Sequence, residues 1–284
     1  MLCPVCTLHD QRKPNDLSVL PTEDIMMKLR INSLHAGLLL SLGLATTPVF
    51  AADAPAEAAP EYTLTGNMAL TSDYVFRGVS QTQNQPAIQG GVDFGISGFY
   101  LGIWASNVAW VNDGGYKTNS SMETDFYGGY KGTFADDFGY DLGVITYYYP
   151  GDSVDGATTP DTTEIYAGIS WKTLSLKYNY TVSDYFVGWT TTDGDKTQGS
   201  YYIDLSGTYD FGEGWGVLGH VGYQDVKNNS DASYTDWKLG VTKDVGFGVF
   251  TLAYTDTDAN TNAYTWAGEK VADAKAVLTF SKSF

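Results

Sequence analysis

The side chains of this sequence that could do chemistry are acids, amines and one imidazole at alternating positions. Asp73, Asp93, Glu123, Asp125, Asp141, Glu164, Asp204 and Asp236 share one set of faces with Arg77, Lys131, Lys177, Lys238 and Lys275. Eight carboxylates and five cations facing a common space could hold or conduct small polar solutes. They could equally pair across strands and fill that space. His220 is the one histidine beyond residue 51, and its neighbours Leu218, Gly219, Val221 and Gly222 supply neither a nucleophile nor an orienting acid. It reads as one more wall residue. No nucleophile elbow, phosphate loop or zinc-protease histidine pair occurs, so no catalytic residue, cofactor or dedicated metal site is expected. Cys3-Pro-Val-Cys6 lacks a second ligand pair. Asp256-Thr-Asp-Ala-Asn-Thr-Asn262 opens like a calcium loop but has Thr261 where the turn glycine belongs and Ala267 where the final acid belongs.

The elements that must position these groups are strands. Beyond Glu61 apolar and polar residues alternate with period two in about twelve segments, each near the ~10 residues a tilted strand needs to cross a bilayer. In residues 63–79, Leu64, Met68, Leu70, Tyr74 and Phe76 fall on one face, with Asn67, Thr71, Asp73 and Arg77 on the other. In residues 122–134, Phe126 and Tyr130 oppose Glu123, Asp125 and Lys131; in residues 234–243, Trp237, Leu239 and Val241 oppose Asp236 and Lys238. Connections after odd segments are long and polar (151–163, 184–199, 256–273), and those after even segments are tight (Gly98, 135–137, Lys172-Thr173, 244–246). Soluble sandwiches also alternate, but this long and short rhythm is that of an outer-membrane barrel, with long loops outside and tight turns in the periplasm. Tyrosine and tryptophan crowd the segment ends at Tyr147-Tyr148-Tyr149, Trp171, Trp189, Tyr201-Tyr202 and Trp215, where interfacial girdles are expected. The fold class expected is an all-β, antiparallel, up-and-down transmembrane barrel over residues 62–284.

The amino end reads differently. Residues 26–51 have the form of a secretion signal: Lys28 and Arg30, a short apolar run over 36–44, and Val49-Phe50-Ala51 before cleavage after Ala51. Residues 1–25 read as an upstream extension preceding the true start, and residues 52–61, rich in Ala, Pro and Glu, as a flexible lead-in. Cleavage removes both cysteines and leaves 284 − 51 = 233 residues. The first 51 residues carry four bases and four acids, so the net charge stays at −17. That sign argues against nucleic acid as a partner.

Several segments resemble a known group. Thr71-Ser-Asp-Tyr-Val-Phe-Arg-Gly-Val-Ser-Gln-Thr82, Tyr100-Leu-Gly-Ile-Trp-Ala-Ser-Asn-Val108, Glu123-Thr-Asp-Phe-Tyr-Gly-Gly-Tyr130, Tyr147-Tyr-Tyr-Pro-Gly151 and Ser281-Lys-Ser-Phe284 are similar to the TorF family of proteobacterial porins. The resemblance implies an outer-membrane barrel with a transport role and carries over no substrate and no functional residue. The final Phe284, in phase with Leu278 and Phe280, resembles the terminal strand read by the barrel-assembly machinery. The partners expected are therefore outer-membrane lipid, periplasmic chaperones and that machinery, and small polar solutes. The function expected is a channel in the outer membrane of a Gram-negative bacterium, weakly cation-selective. A non-conducting receptor, adhesin or structural barrel stands as the alternative, and the sequence sets no oligomeric state.

Overall fold

The computed structural model of the protein describes residues 62–135 and 137–284. The upstream extension, the secretion signal with its cleavage point, and the lead-in lie outside these residues. Twelve strands make one closed antiparallel sheet. They are β1 (Tyr62–Thr71), β2 (Ala87–Ile96), β3 (Phe99–Asn107), β4 (Met122–Phe134), β5 (Phe138–Tyr148) and β6 (Thr162–Trp171). They continue as β7 (Leu174–Thr181), β8 (Tyr201–Gly212), β9 (Trp215–Asp225), β10 (Tyr234–Asp244), β11 (Val249–Thr257) and β12 (Lys275–Ser283). Each strand pairs with its neighbours in sequence, and β12 returns to β1 from Asn67↔Ser283 to Thr71↔Thr279. Phe284 extends that seam: its N–H donates to the Gly66 carbonyl (2.9 Å) and its carbonyl accepts from the Gly66 N–H (2.7 Å). A Cβ on Gly66 would stand 2.5 Å from the Phe284 ring, so the glycine is what lets the terminal aromatic lie flat on β1. Closure removes the two free edge strands of an open sheet, leaving residues 62–65 of β1 beyond the seam.

The turns follow from sequence. Ser97 and Gly98 have φ of 50° and 89°, and Glu213 and Gly214 have 53° and 76°, the paired positive φ of a two-residue hairpin whose twist matches its strands. Alternation then sorts the side chains. Leu64, Leu101, Leu142, Ile165, Leu205, Leu239 and Leu278 are exposed on the outside, while Gln89, Ser106, Glu123, Asp141, Glu164, Ser206, Gln224 and Asp236 are buried inside. An exposed apolar surface wrapping the whole sheet is far more than a water-soluble monomer tolerates. Among the described residues no helix is long and apolar enough to cross a membrane.

Aromatic residues divide between the two surfaces. Tyr148, Trp171 and Trp215 face outward, and Tyr201 lies among the outward rings of Tyr178 and Tyr223, as interfacial anchors would. Tyr147, Tyr149 and Tyr202 are buried inside, and Trp189 packs on Tyr264 in a connection, so these four belong to no outer girdle. The buried tyrosines need room that the sheet supplies as glycine. Tyr127 lies over Gly102, Tyr166 over Gly143 and Tyr202 over Gly222, each where a Cβ would collide with the ring.

Gly222→Ala should therefore displace Tyr202 and lower stability by about 1–3 kcal/mol, the usual cost of overpacking. Denaturant unfolding of the refolded protein reads this directly, and an unchanged midpoint would contradict the close packing of Tyr202 on Gly222.

Candidate functional site

The first strand does not run on to Val79. β1 ends at Thr71, and the chain turns into the barrel, where Val75–Phe76 pairs with Val79–Ser80 as a small hairpin. Arg77 and Gly78 form its tip, with φ of 46° and 78°. Gly78 presses against Thr257 and against the Asp236 Cβ, so the tip tolerates no larger residue. Arg77 in this left-handed conformation costs on the order of 1–2 kcal/mol, and its surroundings compensate. Its Nη2 donates to Glu164 Oε2 at 2.6 Å, and its Nη1 donates to Glu164 Oε1 at 3.2 Å and to Gln224 Oε1 at 2.8 Å. The guanidinium also lies 4.4 Å from the centre of the Tyr202 ring and 4.8 Å from that of Phe76. A forked carboxylate pair flanked by aromatic faces suits arginine and not lysine.

The base of the hairpin is held by an acid. Asp73 accepts from Ser80 Oγ (2.6 Å) and Thr82 Oγ1 (3.0 Å), and Lys275 Nζ stands 3.5 Å from its other oxygen. Tyr74 donates to Glu123 at 2.6 Å, and Phe76 packs edge-on against Tyr147. Asp73, Tyr74, Phe76 and Arg77 thus belong to an inward arm and not to the wall. This corrects the expected first segment, including the outward face given to Tyr74 and Phe76. The overlooked sign was length: residues 63–79 are well beyond the ~10 a crossing requires, with the turn formers Ser72 and Asp73 in the middle.

The remaining charged candidates sit on the inner wall in two groups. On the side of β2 to β7 they are embedded among tyrosines. Tyr127 donates to Asp93 and Tyr100 to Asp141, both at 2.6 Å, and the Tyr100 and Tyr166 hydroxyls bond one another. Lys131 lies over the Tyr100 ring at 5.2 Å and Lys177 over Tyr166 at 3.6 Å. Glu123 accepts from Tyr74 and Tyr149, and Asp125 below it is fully buried with no hydrogen-bond partner among the described residues. This half of the lumen is packed.

On the opposite side a chamber of about 120 Å³ runs beneath the hairpin, lined by Asp73, Arg77, Tyr202, Asp204, His220 and Lys238 and by Thr and Ser side chains of β1, β11 and β12. His220 stands between two acids, Nδ1 at 2.8 Å from Asp204 and Nε2 at 3.3 Å from Asp236. Ser206 bonds Asp204 and not the imidazole. With both ring nitrogens facing carboxylates, His220 has no nitrogen left to activate a nucleophile. Lys275 also bonds Asn84 Oδ1 and the Val271 carbonyl. Among the described residues no cluster of three or more acids, histidines or cysteines could hold a metal. In the calcium-like segment, Asp256 and Asp258 accept from backbone amides of Thr257 and Thr235.

Above the hairpin the long connections close over the mouth. They are not uniformly polar: Trp110, Tyr116, Phe186, Trp189, Tyr264 and Trp266 converge on Phe76 and Arg77 around a second cavity of about 40 Å³. Burial pushes the Tyr116 phenol up to about 12, which keeps it neutral. Phe76 and Arg77 line both cavities, so the hairpin is the partition between them.

A sheet closed on itself, apolar outside and polar within, with an inward arm across its lumen, is the architecture of a lipid-embedded β-barrel with a constricted interior. The chain belongs to the Gcw_chp family, a bacterial family of unknown function whose profile matches residues 55–284. No curated protein matches it. Among solved structures it is similar to the KdgM porin, at 8% identity over 78% of this chain and 98% of that one, with a TM-score of 0.46. It is also similar to the NanC porin (11%, 77% and 98%, 0.48) and to OprD of Pseudomonas aeruginosa (10%, 80% and 67%, 0.38).

Arg77→Ala should strand the buried Glu164 carboxylate and destabilise the protein by about 3–5 kcal/mol. The wall ladder should persist while the Ser80 and Gln81 amides lose protection against hydrogen exchange. Protection equal to wild type would show that the guanidinium does not hold the hairpin.

Proposed function

We propose that this protein is an outer-membrane channel of a Gram-negative bacterium that admits small polar solutes through a lumen narrowed by the Arg77 hairpin, as a relative of the TorF porins. The observation that carries this reading is the chamber. A tyrosine-packed half and a Thr- and Ser-lined half coexist in one barrel, and the second leaves room for water and solute. Residues 26–51 direct export, the long connections face the outside, and the tight turns face the periplasm.

Ion preference follows from unpaired charge. Glu164 is cancelled by Arg77 and Asp73 is offset by Lys275, so those lumenal acids project little field. Asp184 is paired with Lys196, but the long connections keep Asp152, Asp155, Asp161, Asp193, Asp195, Asp231 and Asp258, in a chain of net charge −17. Cations are then favoured at the mouth, weakly, and less as salt shortens the Debye length below its ~10 Å at 0.1 M. The partition at Phe76 and Arg77 supports a second reading, a closed barrel that binds solutes without conducting.

Planar-bilayer recording of the refolded protein separates the two. Small, reproducible conductance steps with a reversal potential on the cation side of a KCl gradient are expected. A silent bilayer would favour the closed barrel, and chloride selectivity at low salt would contradict the charge argument.

A further inference from the structure

The chamber beneath the hairpin contains polar groups that the protein leaves unsatisfied. Among the described residues Lys238 makes no hydrogen bond and has no carboxylate within ion-pair distance, although Asp204 and Asp236 stand near enough to act on it electrostatically. Every other charged group on the chamber wall is engaged: Asp73 with Lys275, Arg77 with Glu164, and Asp204 with His220. The Thr251 and Ser281 hydroxyls, on β11 and β12, also line the chamber and bond no group among the described residues. A strongly hydrated ammonium facing a chamber needs an anion or water as its partner.

Strand register sets the size of that partner. Lys238 is paired with Thr255, and Thr251 lies four residues further along the same strand. That separation is about 13 Å along β11, of which the flexible lysine stem spans part. An extended chain of about six carbons fills the remainder. Two nearby acids oppose a dianion, while a single ammonium suffices for a monoanion.

We propose that this chamber is a binding site for small hydroxylated monocarboxylates, with the carboxylate on Lys238 and the hydroxyls against Thr251 and Ser281. The inference rests on the reading of the barrel as a carrier of small polar solutes and adds the solute class. One ammonium fixes one anion at one place and leaves the negative field of the mouth to govern bulk ions.

The test is calorimetric titration of the full refolded protein in micelles with D-gluconate, alongside sorbitol as its uncharged counterpart. Wild type should bind gluconate and discriminate against sorbitol. Lys238→Met should weaken gluconate binding roughly tenfold or more, as expected for the loss of one charge-assisted hydrogen bond, and Lys238→Arg should retain it. Equal binding of sorbitol and gluconate by wild type would overturn the proposal even if Lys238→Met failed to fold. So would full affinity in Lys238→Met, or no binding of gluconate at all. Binding by a protein that conducts no ions would remove the channel reading and leave the site standing, whereas a conducting protein that ignores gluconate would do the reverse.

Discussion

The forked pair between Arg77 and Glu164 is the interaction on which the interior of this barrel depends. Neither group can sit there alone: each is almost completely buried, at 5% and 0% side-chain exposure, and an unpaired charge at such a site costs several kcal/mol. Their union fixes the hairpin tip against β6 and β9, which fixes Phe76 on Tyr147 and Gly78 on β10 and β11. With the tip in place, the lumen is divided into a mouth and a chamber. Removing the tip would merge them.

The wall obeys a separate constraint, set by solvent. Hydrocarbon accepts no unpaired backbone polar group, so the sheet must close, and closing places every second residue inside. Tyrosine and glycine solve the resulting packing problem together. A tyrosine on one strand covers a glycine on the next, and its hydroxyl finds an acid of the inner wall such as Asp93, Asp141 or Asp236. These acids therefore satisfy tyrosines, and the charge that lines the chamber rests on a few side chains of the opposite half.

The wall was legible in the sequence because period two is a local property. Val92 and Asp93, Leu142 and Asp141, or Trp237 and Asp236 need only a neighbour of opposite character to reveal their faces, and the rhythm of long and tight connections supplies the topology. The hairpin was not legible for the same reason. Tyr74, Phe76 and Arg77 keep the phase of β1 although the chain has left the sheet at Thr71, so alternation cannot register the departure. The partner of Arg77 lies 87 positions away at Glu164, a pairing that no local pattern encodes. The mouth aromatics failed to show for a related reason. Trp110, Trp189 and Trp266 are isolated in polar connections and acquire a common purpose only when their three loops converge on the hairpin.

If the Arg77 clamp sets the aperture, the most direct measurement is the single-channel conductance of Arg77→Ala against wild type in planar bilayers. Release of the hairpin should join mouth and chamber and raise the conductance of each open step. An unchanged conductance in a variant whose hairpin amides have lost their exchange protection would contradict this account, because ions would then be crossing the barrel by a path the hairpin does not control.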